Sequence, residues 1–317
     1  MNKKMFLGLI LVLALLAGLL PASAQETETV ELVTFVDDLG REVDVPLPPA
    51  SVVTLAPSLT EMVYFLGAWD QLAGCDVYSD YPAEAADIAK ITNYDLSINY
   101  EAIVAAEPDL ILAAEINSME QIKDLEDLGL TVFYVKNPTT FEELYGSVSM
   151  VSEVLGKSDA AIDLINEMAG RIFAVDEIMM DYYNSAEEPE MPLVFYELDA
   201  TDPTKPWTAG AGTFISMIIE KAGGKNLGDD VEGAWVQVGL ETLIEMDPEV
   251  ILLGDYYYGN TPDVVAARTG WDAISAVANG QMFGFDDNLV SRPGPRLVEG
   301  LETIAQILHP DLFEDAE

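Results

Sequence analysis

Two glutamates, Glu101 and Glu241, occupy matching places in a repeated stretch of sequence. Tyr100-Glu101-Ala102-Ile103-Val104-Ala105-Ala106-Glu107-Pro108-Asp109-Leu110-Ile111-Leu112 returns 140 positions later as Leu240-Glu241-Thr242-Leu243-Ile244-Glu245-Met246-Asp247-Pro248-Glu249-Val250-Ile251-Leu252. Glutamate falls on glutamate, acid-Pro-acid on acid-Pro-acid, and one apolar run on the other. Each copy reads as a short helix stopped at proline and followed by a buried strand. The agreement over the whole stretch marks a true repeat rather than a chance helix-Pro-strand match. Two carboxylates at equivalent places on two like lobes suit docking on a partner of roughly two-fold symmetry, and two matched lobes suit a clamp around a ligand.

Catalytic chemistry finds little support. The only histidine, His309, ends the last helix before Pro310 and reads as a helix-end or surface residue. One histidine and one cysteine cannot build a His-rich zinc or manganese site. No nucleophile elbow, P-loop or clear dinucleotide fingerprint appears, and Gly210-Ala211-Gly212-Thr213, a short glycine loop at a helix start, is of a kind that can hold an anion but is more often just a tight turn. No catalytic and no metal-ligating residue is assigned, and no cofactor is expected.

Aromatic residues cluster where strands should end, which is where α/β sheets place ligands. Tyr78 and Tyr81 follow one strand, Trp207 another, and Tyr256-Tyr257-Tyr258 a third, while Trp235 precedes the second repeat copy. Tyrosine and tryptophan offer wide flat contact with a polar handle, so such a cleft suits a bulky, partly planar ligand. Tyr258 and Trp271 are assigned to the core. Trp207 is not, because turn residues surround it. In Ser291-Arg292-Pro293-Gly294-Pro295-Arg296, an arginine is suited to a carboxylate, amide or phosphate on a ligand. The competing use is an internal ion pair, which weighs equally for Arg296 and less for Arg292.

The elements that must hold these residues alternate as βαβ units, which implies largely parallel sheets with both faces covered. After a leading acidic, proline-bearing segment with a hairpin at Asp38-Leu39-Gly40, Ser51–Leu55 reads as a strand. A helix follows, with Ser58 as N-cap and Glu61 completing a capping box, and it ends at Gly67. Ser158 to Asn184 forms one long helix with Ile162, Ile165, Met168, Ile172, Val175 and Met179 at three-four spacing. At ~1.5 Å per residue it spans about 40 Å, enough to cross between lobes. The expected organisation is a signal peptide over 1–24, a first lobe over 25–157, the linking helix over 158–186 and a second lobe over 187–317.

Lys3 and Lys4, the apolar run Phe6–Leu20 and Ala22-Ser23-Ala24 carry the marks of a secretory signal, with mature sequence from about Gln25 outside the cytoplasmic membrane. With Cys75 alone there is no internal disulfide, so packing must stabilise the exported chain. The net charge of −42 excludes nucleic acid and anionic membranes as partners. Most of the acids read as a solvated surface of the kind a saline habitat favours.

Together these motifs resemble the periplasmic substrate-binding proteins of ABC importers for cobalamin, ferric siderophores and haem. The resemblance runs over roughly residues 30–310. It rests on Val53 to Glu61, Tyr78-Ser79-Asp80-Tyr81-Pro82, Trp207-Thr208-Ala209-Gly210, Trp235-Val236-Gln237-Val238, Arg292 to Arg296 and the two repeat copies. It implies two α/β lobes joined by one long helix, a ligand between them, and little hinge motion. It further implies docking of Glu101 and Glu241 on arginines of a permease dimer, by a protein expected to be monomeric. Within the family the likeness leans towards the cobalamin binders, which implies a corrinoid against Tyr78, Trp207 and Trp235. A tryptophan that those proteins carry before the first docking glutamate is absent, and Tyr94 lies nearby instead. A ferric siderophore or haem is the alternative ligand, for which Tyr78, Tyr256 and Arg292 matter most. A secreted α/β enzyme is the rival from another class.

Overall fold

A computed structural model describes residues 31–313 apart from Glu188. The expected signal peptide lies outside the described residues. The hairpin forms as β1 (Glu31–Val36) and β2 (Glu42–Leu47). Chain order then gives β3 (Val52–Thr54), α1 (Pro57–Phe65), β4 (Leu72–Cys75), β5 (Ala89–Lys90), α2 (Tyr100–Ala105), β6 (Leu110–Ala114), α3 (Met119–Asp127), β7 (Val132–Val135) and α4 (Phe141–Val154). Strands β3 to β7 form one sheet in the order β5-β4-β3-β6-β7, parallel at every pairing.

The long helix is α5 (Ser158–Ser185), 28 residues without a break. Beyond it lie β8 (Leu193–Glu197), β9 (Trp207–Ala209), α6 (Phe214–Lys221), β10 (Lys225–Asn226), β11 (Trp235–Gln237), α7 (Leu240–Met246), β12 (Val250–Leu253), α8 (Pro262–Ala266), α9 (Ser275–Ala278), β13 (Met282–Gly284), α10 (Asn288–Ser291), α11 (Leu297–Leu308) and α12 (Pro310–Phe313). The second sheet has the order β10-β8-β12-β13 and is again wholly parallel, while β9 and β11 form an antiparallel ribbon. The two α/β lobes with parallel sheets are as the sequence implies.

The repeat reaches down to the backbone. Glu107 and Asp247, each just before its proline, adopt positive φ of 45° and 50°. The acid after each proline then pins the start of the neighbouring strand. Asp109 Oδ2 accepts from Ala50 N at 2.8 Å, and Glu249 Oε2 accepts from Leu193 N at 2.9 Å. The repeat strands β6 and β12 lie beside β3 and β8, so each lobe is built around the same central pair.

Alternation along the strands divides the core. Leu110, Leu112 and Ala114 of β6 face inward to one large cluster, whereas Ile111 and Ala113 face outward onto α2 and α3. In β12, Val250 and Leu252 join that same large cluster, and Ile251 and Leu253 face Leu243, Val265 and Trp271. The inner faces of both sheets therefore share one core, filled by α1, α4, α5, α6 and α11. The buried stripe of α5 is Ala161, Leu164, Met168, Ile172, Val175 and Met179. It differs from the expected stripe in phase at its start, since Ile162 faces solvent. Arg171 reinforces the packing of α5 on α11 through Glu302, with Nε–Oε1 at 2.9 Å and Nη2–Oε2 at 2.6 Å.

Because one core serves both lobes, unfolding by urea should be a single transition. Far-UV circular dichroism should coincide with fluorescence, to which the second lobe contributes three of the four tryptophans (Trp207, Trp235, Trp271). Met168→Ala should lower stability by about 2–5 kcal/mol and keep the transition single. Two separated transitions would show that the lobes fold independently.

Candidate functional site

A cavity of about 960 Å³ opens between the lobes at the carboxyl ends of the strands, large for a small-molecule site (about 300–1,000 Å³). From the first lobe come the loop after β3 (Leu55 to Ser58), Asp76 and Tyr78 after β4, Tyr94 to Leu96, and Ala114 to Ile116 after β6. From the second come Leu198, Phe214, Trp235, Tyr258, Asp287, Asn288 and Ser291 to Pro293.

Each lobe supplies an aromatic pair. Tyr78 and Tyr94 meet edge to face at 5.8 Å, and the Tyr78 hydroxyl donates to Tyr94 O at 2.6 Å. Trp235 meets Phe214 edge to face at 5.9 Å. Trp235 is fixed by pairing of β11 with β9, Phe214 by the first turn of α6, whose N-cap Thr213 accepts from Ser216 N. Both rings of the second pair are thus held by regular elements, whereas Tyr94 rides on an exposed loop.

Of the ligand residues expected from sequence, Tyr78, Tyr94, Trp235 and Arg292 line this cavity, and Trp207 and Tyr256 do not. Trp207 opposes Gln237 in the ribbon, two residues along from the cavity-lining Trp235. The Tyr256 ring packs against the second lobe's outer core and covers Gly284. Tyr258, assigned to the core from sequence, is instead 87% exposed and lines the cavity; Trp271 is fully buried, as assigned. The three consecutive tyrosines form one 3-10 turn, and a turn of that pitch cannot be phased from three identical residues. Phe214 escaped the sequence reading although the Gly-Ala-Gly-Thr turn before it marks a helix start at a strand end. His309 caps α11 as expected but is buried, with Nε2 3.3 Å from Gly223 O.

Arg292 is not a free cation. Its Nη1 lies 2.7 Å from Asp80 Oδ1 and 3.1 Å from Glu61 Oε1, and its Nη2 donates to Tyr78 O at 3.1 Å. Arg296 Nη1 reaches the same Glu61 oxygen at 3.3 Å, and its guanidinium lies 4.3 Å over the Tyr81 ring. Gly294 sits close against Ser58, where a side chain would meet the Ser58 carbonyl. The segment 292–296 therefore straps the second lobe to the first through charges. This corrects the reading of Glu61 as a capping-box acid: α1 is capped at Ala56 without a side-chain bond, and Glu61 is fully buried. Burial pushes the Glu61 carboxyl up to about 7, against the pull of the two guanidiniums.

A second buried pair lies within the second lobe. Arg268 forks onto Glu197 at 2.5 and 2.9 Å and stacks on Trp271 at 4.5 Å. Burial, with Asp255 adding to it and Arg268 opposing, takes Glu197 to about 7. Among the described residues no group of three or more His, Cys, Asp or Glu side chains is arranged to hold a metal ion. The cavity combines aromatic walls with a few polar groups, among them Asp76, which accepts from the Ser79 hydroxyl.

Residues 52–289 match the family described as periplasmic binding protein. The chain belongs to the periplasmic binding protein family. It is 32% identical over 93% of its length to an uncharacterized ABC transporter substrate-binding lipoprotein of Bacillus subtilis, covering 91% of that protein. It is 28% identical over 87% of its length to a cobalamin-binding protein of Halobacterium salinarum, covering 74% of it. Among solved structures, a possible iron-binding (periplasmic solute-binding) protein from Staphylococcus epidermidis is 29% identical and superposes with a TM-score of 0.68, over 83% of this chain and 99% of that one. The periplasmic vitamin B12 binding protein of Vibrio cholerae shares the fold at a TM-score of 0.68 and 24% identity, over 84% and 99% of the two chains. As a family member the chain is a substrate-binding protein of an ABC transporter.

Glu61 and Glu197 hold protons when folded at pH values where the unfolded chain, with carboxyls near 4.5, does not. Their stabilisation is complete below about 4.5 and is lost as pH rises through about 7. The urea midpoint should therefore fall from pH 5 to pH 8, and Glu197→Gln should flatten that slope; an unchanged slope would remove Glu197 from it. Glu61→Ala should cost about 3 kcal/mol, the low end for a buried ion pair broken on one side, because Asp80, Asp286 and Glu299 still face the arginines.

Proposed function

We propose that this protein captures a corrinoid in the inter-lobe cavity and delivers it to an ABC importer. The observation that carries the reading is the cavity itself, of about 960 Å³, walled by Tyr78 and Tyr94 on one side and by Trp235 and Phe214 on the other. Aromatic faces on two sides suit a large flat macrocycle bearing apolar edges. The relatives named as cobalamin-binding and vitamin B12-binding proteins support the same ligand. Capture needs no cofactor, metal or catalytic group. The site of action is outside the cytoplasmic membrane, in keeping with the signal-like N-terminal sequence and the naming of the relatives as lipoprotein or periplasmic. Among the described residues no helix is long and apolar enough to cross a membrane.

Delivery is assigned to Glu101 and Glu241. Both are exposed, both stand in the first turn of their helices, and both helices cover the outer face of a sheet. They present matched carboxylates to the arginines of a permease dimer, with the binding protein acting as a monomer. A second reading, a ferric siderophore or haem in the same cavity, draws on the exposed phenol of Tyr258 as a hard oxygen donor. It has a relative in the possible iron-binding protein of Staphylococcus epidermidis.

Titration of the protein with cyanocobalamin should give one-to-one binding and quench tryptophan fluorescence; absence of binding would move the weight to ferric chelates and haem. Trp235→Ala should weaken binding by about 1–3 kcal/mol, whereas Trp207→Ala should weaken it less. An equal loss at both would bring Trp207 into the site. Reversing both docking charges, Glu101→Lys with Glu241→Lys, should stop uptake and leave cyanocobalamin affinity intact. Normal uptake by that double variant would rule the docking assignment out.

A further inference from the structure

We infer that the cavity selects its ligand by charge, accepting neutral and cationic molecules and discriminating against anions. This rests on the cavity being the ligand site, and it concerns which ligands of the right shape are admitted. The charged side chains lining the cavity are Asp76, Asp95, Glu115, Asp287 and Arg292. Four are acids, and the one base is already committed. Arg292 is paired to Glu61 and Asp80 through Nη1, and its Nη2 donates to the Tyr78 carbonyl. The neighbouring Arg296 shares Glu61 and faces Asp286 and Glu299 besides. An incoming carboxylate or phosphate would have to compete with the exposed Asp80 for Arg292, or displace Glu61 and leave a buried carboxylate behind, a costly exchange.

The acids are not equally free. Asp76 is buried, accepting from Tyr78 N at 2.8 Å and from the Ser79 hydroxyl, and burial raises its pKa. Asp287 accepts from the Tyr196 hydroxyl and is likewise raised by burial. Asp95 and Glu115 are exposed on the first lobe's rim. Hydrogen bonds from the Ser97 hydroxyl and amide hold the Asp95 carboxyl below its ordinary range, so it stays ionised. A ligand entering past Asp95 and Glu115 therefore meets unpaired negative charge, on a chain whose net charge is −42. Neither the histidine nor the cysteine lines the cavity, since His309 and Cys75 are both buried elsewhere. A metal centre inside it would meet no imidazole or thiolate, and the visible spectrum reports whether the Tyr258 phenol or a carboxylate exchanges onto the metal.

The test compares probes of different charge within each of two ligand classes, by calorimetry at low salt. The corrinoids are aquacobalamin at pH 6 (a cation), cyanocobalamin (neutral) and a cyanocobalamin monocarboxylate (an anion). The iron chelates are ferrioxamine B (a cation), ferrichrome (neutral) and a ferric tris-catecholate (an anion). Within whichever series binds, the anion should bind about tenfold or more weaker than the neutral member, a gap of ~1.4 kcal/mol. The gap should narrow in 0.5 M salt, where the screening length falls to a few ångströms. Asp95→Asn with Glu115→Gln should narrow the ratio of cation to neutral affinity. The visible spectrum of aquacobalamin should not change on binding. If the iron chelates bind in the expected order and no corrinoid does, the corrinoid reading fails and charge selection stands. An anion that binds as tightly as its neutral counterpart overturns charge selection even where cyanocobalamin binds. Failure of every neutral and cationic probe in both series overturns it as well.

Discussion

The joint between the lobes depends on one buried carboxylate shared by two guanidiniums. Glu61 is fully buried in α1, and without Arg292 and Arg296 it would be an uncompensated polar group in the core. Pairing its Oε1 with both guanidiniums draws the segment between β13 and α11 across onto the first lobe. That contact in turn seats Gly294 on Ser58 and lays Arg296 over Tyr81. The cavity wall follows from the same knot, because Arg292 holds the Tyr78 carbonyl and so fixes the loop that carries an aromatic face. Hydrophobic burial assembles each lobe, and the ionic knot sets how the loops of one lobe meet those of the other.

The long helix and the shared core make that setting stiff. The inner faces of both sheets pack on one continuous set of side chains, with α5 running through it. Shifting one lobe against the other would open voids along the whole stripe from Ala161 to Met179, each void costing dispersion contacts. A wide swing of the lobes is costly in such a body, and the exposed loop of Tyr94, Asp95 and Leu96 lies at the rim of the cavity.

Much of this was legible in the sequence, for identifiable reasons. The repeat at Glu101 and Glu241 could be read because a helix end, a proline and a buried strand each leave a local mark. The strands were legible because fully buried parallel strands are apolar without interruption. The partners of Arg292 were not, since Glu61 lies 231 residues away and its spacing from Ser58 imitates a capping box. That imitation is instructive: Pro57 occupies the first helical turn and has no amide to cap, so Ala56 suffices there and the acid is free for tertiary use. Tyr256 and Tyr258 were exchanged because a 3-10 turn sends neighbouring side chains in directions that only the packing of the turn decides. Trp207 and Trp235 looked alike in sequence, and only the ribbon pairing separates them.

The separation of 231 residues between Glu61 and Arg292 also bears on how the chain becomes itself. The first sheet can be completed from early sequence, yet the partners of Glu61 in α1 lie late, in the segment between α10 and α11. A long-range contact of this kind is entropically slow to close and rewards the chain only after both sheets exist. Among the described residues Glu61 finds its hydrogen-bond partners only in the segment from Arg292 to Arg296, so the fold of the first lobe is closed by sequence far downstream of it.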